Sequence, residues 1–324
     1  MRFAHKVMIC GLGVALAMTG QGASGAMSAA GPDLPPLGQR VQFGAYVDGM
    51  IADPSKLLAF EKQLGRTTEV ASYFYGFGDE FPAVTEQTFA RGGTREVLLS
   101  WDMGPTRFID WSTGVHDAYL RRIAAHARAY PYQVFVRPWP EMNGDWQDFQ
   151  PTAAGTEKHG GTPAQFIAAW RHVVTTVRDA GGDNIKWVFN PTADTYPETT
   201  DVRIIWPGAE YVDVLGLDGY NWGVGGPFRW RSFAEIFHVQ YTRLTALHPS
   251  APVWICEFGS KEPAIDDGAP VDPTHSKAAW VRTALASTAF PRITTLVAFQ
   301  VRKERDWRVD SSAAALAQLQ RGLA

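Results

Sequence analysis

Residues 134–146 read VFVRPWPEMNGDW. Val134, Phe135 and Val136 make a short apolar run of strand type, and Gly144 closes the segment as a turn, so Glu141 falls near the carboxyl end of a buried strand. Parallel α/β folds collect their chemistry at that edge. A lone glutamate at a strand end is otherwise a surface or salt-bridged residue, so the reading depends on what the rest of the chain brings to the same edge.

Working outward, short apolar runs recur at 42–46, 69–74, 96–101, 133–137, 185–189, 212–217, 252–257 and 294–300. Their β-branched content suits strands buried on both faces. Amphipathic helical patterns lie between them near 54–64, 83–91, 115–129, 163–180, 231–247, 275–289 and 311–322, with a short one around 200–205. The 163–180 pattern carries Thr162 as N-cap, Pro163 at the first helical position and Gln165 closing a capping box, with Phe166, Trp170, Val173, Val174 and Val177 on one face. Eight strand–helix alternations predict an α/β chain folded as a (β/α)8 TIM barrel, a single domain over residues 41–324. The rival, a doubly wound open sheet, usually carries a glycine-rich phosphate turn. Beyond the leader the sequence contains neither GxGxxG nor GxxxxGK[ST].

Ahead of the barrel, residues 1–26 combine a basic start (Arg2, His5, Lys6), an apolar stretch from Val7 to Ala17 and the small-residue segment QGASGA. That pattern predicts a secretory signal peptide cleaved after Ala26, and hence a secreted or periplasmic protein. The proline-, glycine- and alanine-rich residues 27–40 read as a flexible lead-in. Nothing downstream reaches the roughly 18 consecutive apolar residues of a membrane span. Of the two cysteines, Cys10 lies in the leader, which leaves Cys256 alone and no internal disulfide. A formal net charge of −3 with scattered Lys and Arg offers no basic stripe for nucleic acid. A monomer is expected.

The same edge also receives Glu257, at the end of PVWICEFGS (252–260). Two carboxylates about 5–5.5 Å apart split a glycosidic bond with retention, one protonating the leaving oxygen and the other attacking the anomeric carbon. Mutual repulsion keeps one of them protonated. Arg137 shares strand parity with Trp139 and Glu141, points inward on that count, and serves either as a barrel ion pair or to keep a nucleophile ionised. Tyr220 follows strand 6 and can donate its hydroxyl to Glu257, while Asp218 reads as an anchor for the same loop. Twelve tryptophans are mostly core, but Trp139, Trp146, Trp222 and Trp307 sit beside polar residues at strand ends, where indole faces stack on sugar rings.

The stretches RPWPEMNGDW (137–146), IKWVFNP (185–191), YVDVLGLDGYNWG (211–223), PVWICEFGS and DWRVDSS (306–312) together resemble the landmarks of glycoside hydrolase family 26, in matching order over roughly residues 130–312. The resemblance implies a retaining β-glycanase on a (β/α)8 barrel; together with the leader it leads us to expect a secreted, endo-acting enzyme on mannan, a related β-linked glycan or a bacterial exopolysaccharide, with no cofactor and no metal called for. It makes Glu141 the general acid/base, Glu257 the nucleophile, Tyr220 the partner of Glu257 and Trp146 the platform beneath the cleaved sugar. Arg137, Trp139, Asn143, Trp222 and Trp307 complete the expected substrate-binding set. Where the family has histidine before the acid, this chain has Pro140, which offers neither a side-chain donor nor a backbone N–H. Asn143 or His159 would have to supply the missing contact, and ordinary plant mannan becomes a poor substrate. A catalytically silent carbohydrate-binding barrel is the alternative. A metal-dependent hydrolase finds no HExxH, only Asp266, Asp267 and Asp272 in one polar loop, and no GxSxG supports a serine esterase.

Overall fold

The structure, a computed structural model, describes residues 34–154, 160–225, 227–263, 272 and 274–324. The signal-peptide expectation, most of the lead-in, His159, Asp266 and Asp267 lie outside the described residues. Eight strands, β1 Gln42–Val47, β2 Val70–Gly76, β3 Glu96–Asp102, β4 Val134–Pro138, β5 Ile185–Phe189, β6 Val214–Asn221, β7 Val253–Ser260 and β8 Ile293–Gln300, pair in parallel and in order, and β8 closes on β1. The architecture is the (β/α)8 barrel.

Two apolar layers hold it. Inside the barrel, Val70, Leu98, Phe135, Val188, Val214, Trp254, Cys256 and Val297 form one cluster, with Phe135 and Trp254 meeting across the axis at 4.3 Å. A larger cluster fills the space between barrel and helices. Around the barrel run α1 Leu37–Arg40, α2 Ser55–Leu64, α3 Val84–Ala90, α4 Phe108–Ser112, α5 Asp117–Ala129, α6 Pro163–Asp179, α7 Phe233–Leu247, α8 Lys277–Leu285 and α9 Ala313–Gly322. The helix expected from 163 starts as its capping box requires: Thr162 Oγ1 accepts from Gln165 N at 3.3 Å, and Gln165 Oε1 accepts from Thr162 N at 2.9 Å.

Two expectations need correction, and one helix is unexpected. The pattern around 200–205 gives two short 3-10 turns, Val202–Ile204 and Ala209–Tyr211, because Pro197 and the Pro207–Gly208 pair leave no room for an α-helix. The short helix α4 escapes periodicity, which needs more than five residues to register. The end of the supposedly flexible lead-in is docked: Leu37 is buried, its N–H donates to Ser287 O at 2.9 Å, and Arg40 reaches Phe290 O at 2.6 Å and Ile293 O at 2.8 Å. Among the described residues no helix is long and apolar enough to cross a membrane.

Candidate active site

β4, β6 and β7 deliver their last residues to one mouth. On β4, Phe135 faces the barrel interior, so alternation turns Arg137 inward as well, and its side chain is fully buried. Arg137 Nε donates to Ser100 Oγ on β3 at 2.6 Å, and Nη1 forks onto Asp218 Oδ1 and Oδ2 at 2.9 and 2.7 Å. Nη2 donates to Glu257 Oε1, and the Tyr220 hydroxyl donates to Glu257 Oε2. Both oxygens of Glu257 are therefore held by donors, one of them a cation.

Glu257 reaches the interior only because β7 breaks its own alternation. Trp254 and Cys256 point inward and Phe258 packs outward on Trp280 of α8. Strict alternation would send Glu257 outward and Phe258 inward. The pairing of β6 with β7 jumps from Leu217–Ile255 to Asp218–Glu257, and that of β7 with β8 from Ile255–Leu296 to Phe258–Ala298. This bulge turns the carboxylate into the mouth beside Asp218.

Parity also fails after β4. Trp139 and Glu141 adopt left-handed φ values of 48° and 56°, uncommon for residues with a Cβ. The backbone is pinned there by Trp139 N to Trp101 O at 3.1 Å and Glu141 N to Asn190 O at 2.8 Å. Glu141 consequently turns toward Glu257, and Trp139 turns away. Trp139 is fully buried against Phe108, Trp111, Phe166 and Trp170, so it is core of the helix layer and not a sugar platform.

Glu141 has a different neighbourhood from Glu257. It accepts the Trp146 indole N–H at 2.9 Å and faces Gln147 Nε2 at 3.5 Å. Burial and the nearby Glu257 charge push its carboxyl up to about 7, against the Trp146 hydrogen bond and Arg137, which act in the opposite direction. Burial, then Glu257, raise the Tyr220 hydroxyl, so it stays a donor.

Several expected substrate-binding side chains have other duties. Asn143 is buried, accepting from Thr192 N at 2.7 Å and donating to Thr192 O at 3.2 Å, which stitches the loop after β4 to that after β5. Arg137 is out of a sugar's reach beneath Glu257. Trp307 is 2 % exposed and packs on Tyr220 at 4.7 Å. Trp222 is half-buried, stacked on Phe228 at 4.8 Å with the Arg305 guanidinium over its ring at 5.7 Å. Trp146 and Tyr220 keep partly exposed rings at the mouth, as does Tyr46 at the end of β1, stacked on Phe299 at 5.6 Å. Asp218, read as a loop anchor, mainly secures Arg137. Ser100 and Asp194 carry no sequence signal as site residues, and Asn190 is marked only as part of IKWVFNP. Asn190 Nδ2 donates to Asp218 Oδ2 at 2.8 Å, and Asp194 pairs with Arg231 at 2.7 Å. Of the acidic loop cluster, Asp272 engages Thr274 N at 2.9 Å and His275 Nδ1 at 2.6 Å.

Residues 110–277, which include Arg137, Glu141, Tyr220 and Glu257, match the sequence profile of Glycosyl hydrolase family 26. The chain belongs to this family. Among relatives of the family 26 chain, Endoglucanase H of Acetivibrio thermocellus is 32 % identical over 282 residues, covering 86 % of this chain and 30 % of its own length. A mannan endo-1,4-beta-mannosidase of Bacillus subtilis strain 168 is 29 % identical over 137 residues, 41 % of this chain and 33 % of its own length. The family 26 chain thus spans about a third or less of these relatives. The catalytic domain of a Bacillus sp. JAMB-750 GH26 endo-beta-1,4-mannanase superposes with a TM-score of 0.62 at 16 % identity, covering 88 % of this chain and 86 % of that one. At that identity the likeness speaks for the fold.

Proposed function

We propose that the chain is a retaining endo-β-glycanase exported from the cytoplasm, with Glu257 as nucleophile and Glu141 as acid/base. The observation that carries this is the unequal treatment of two carboxylates at one mouth. Glu257 is stabilised as an anion by Arg137 and Tyr220, while Glu141 receives only an indole N–H and a long amide contact and is held protonated near neutrality. In the first step a Glu257 oxygen bonds to the anomeric carbon as the glycosidic C–O bond breaks, and the Glu141 proton goes to the departing oxygen. In the second, Glu141, now ionised, takes a proton from water as that water displaces Glu257. The basic, apolar and small-residue order of residues 1–26 supports export.

The pH dependence follows with a definite sign. The first step needs Glu141 protonated, so kcat/KM falls as pH rises through about 7. Trp146→Phe deletes the indole donor that favours the ionised carboxylate, so the basic limb moves to higher pH. A limb that stays in place or moves down in a pH–rate profile of Trp146→Phe would contradict the acid role of Glu141.

For substrate, a β-glucan fits better than mannan. The relative matched over most of this chain is named an endoglucanase, whereas those named mannosidases align over less than half of it. Pro140 points the same way: it is half-exposed beside Glu141 and lacks every donor a histidine would offer there. Wild type is expected to hydrolyse a mixed-linkage β-glucan more efficiently than galactomannan. Pro140→His should shift the ratio of the two kcat/KM values toward mannan several-fold, the size of one neutral hydrogen bond of about 0.5–1.5 kcal/mol. Efficient wild-type hydrolysis of galactomannan, with no change in Pro140→His, would remove this assignment.

A further inference from the structure

The segment after β8, residues 301–312, carries Trp307 against Tyr220 and Trp222. It has little regular structure beyond one bridge between Arg302 and Asp306. Lys277, the first residue of α8, is buried beneath it. Its Nζ donates to Asp306 O at 2.7 Å, Arg308 O at 2.8 Å and Ser311 Oγ at 2.7 Å, and lies 3.8 Å from Glu262 Oε2. Ser311 Oγ in turn donates to Glu262 at 3.1 Å. The two carbonyls flanking Trp307 in the chain are therefore bound by one ammonium.

Nothing in α8 itself favours a lysine there. A cation in the first turn opposes the helix dipole, and a buried ammonium is costly unless its N–H groups are satisfied. Three acceptors that satisfy it, Asp306 O, Arg308 O and Ser311 Oγ, belong to the Trp307 segment. Gly259 of β7 also approaches so closely that an added Cβ would lie 3.1 Å from Trp307 Cβ and 3.2 Å from its carbonyl oxygen. Trp307 is thus fixed through its backbone by Lys277 and confined by β7, with its ring on Tyr220, the donor to Glu257 Oε2.

We propose that Lys277 is a positioning residue for the nucleophile, holding Trp307 against Tyr220 and thereby keeping the Tyr220 hydroxyl on Glu257. This rests on the assignment of Glu257 as nucleophile. The groups facing Glu257 are Arg137 of β4, Tyr220 and Asp218 of β6, Glu141 after β4 and Tyr46 of β1. Lys277 acts on this set through Tyr220.

The test is a ¹³C NMR titration of the Glu257 carboxyl in the full chain, assigned with Glu257→Gln, for wild type, Tyr220→Phe, Lys277→Met and the double variant. Lys277→Met is expected to raise the Glu257 midpoint, as Tyr220→Phe does, and to add nothing in the Tyr220→Phe background. Ser311→Ala keeps the ammonium charge but removes one acceptor, and should move the midpoint the same way by less. On a β-glucan, kcat of Lys277→Met falls about tenfold, the lower range for a hydrogen bond to a charged group, with KM little changed. A wild-type midpoint despite a lowered Tm, or a shift that persists in full without the Tyr220 hydroxyl, overturns the proposal. If Lys277→Met does not fold, an unmoved midpoint in Ser311→Ala overturns it. A protein that cleaves no β-glycan defeats the enzymatic reading, and the titration still decides the role of Lys277.

Discussion

Glu257→Ala is expected to abolish turnover on every substrate, by at least about 10⁴-fold, because no covalent intermediate forms without the nucleophile. Glu141→Ala should behave differently. Its loss on natural glycans is expected within the roughly 10²–10⁴-fold range of general acid catalysis, and should shrink on aryl glycosides whose leaving group needs no proton. Added azide should restore its second step, since a small anion needs no general base and enters the space the carboxyl vacates, giving a glycosyl azide of retained configuration. The asymmetry reflects the site: Arg137 and Tyr220 both serve Glu257 and neither hydrogen-bonds Glu141. Equal losses on an activated aryl glycoside with no azide product would reverse or refute the roles, and a first-formed product of inverted configuration would exclude double displacement.

Arg137→Met should be the most damaging single change to stability at the mouth. The guanidinium sits between Asp218 and Glu257, with side-chain exposures of 0 % for Arg137 and Asp218 and 12 % for Glu257. Removing it leaves two carboxylates facing each other in the barrel, and breaking a buried pair from one side costs about 3–5 kcal/mol. Burial already pushes the Asp218 carboxyl up against the pull of Arg137, so without the cation Asp218 should take up a proton. The double variant Arg137→Met/Asp218→Asn is expected to regain part of the lost stability in urea unfolding, because only one of the two facing carboxylates then remains without a cation, while kcat stays low because Glu257 has lost its guanidinium. If Arg137→Met unfolds at the wild-type urea concentration, the guanidinium is not the keystone its contacts imply.

How far the site is legible in sequence depends on how far the backbone stays regular. Arg137 is readable because β4 remains extended from Val134 to Pro138, so counting from Phe135 gives the right face. Two residues later the same count misassigns Trp139, since a left-handed φ has reversed the side-chain direction. Trp222 and Trp307 read as platforms because an indole beside polar residues looks the same whether its faces meet sugar, Phe228 and Arg305, or Tyr220. Lys277 shows no signal at all: the two partners that flank Trp307 are backbone carbonyls about 30 residues away, and a carbonyl is invisible in sequence.

The amino-acid order alone determined the eight apolar runs, the capped helix from Pro163, the barrel they imply and the placement of Glu141 and Glu257 at strand carboxyl ends, because these follow from local periodicity and hydrogen-bond capping within a few residues. Tertiary structure decided which way the decisive side chains face. Cys256 and Glu257 both turn inward only because β7 must match the registers of β6 and β8 at once. Glu141 faces Glu257 only because Asn190 and Trp101 hold the chain after β4 in a conformation an isolated segment would rarely adopt. Side-chain direction at the end of a strand is fixed by neighbours that close the barrel, and those neighbours are far away in sequence.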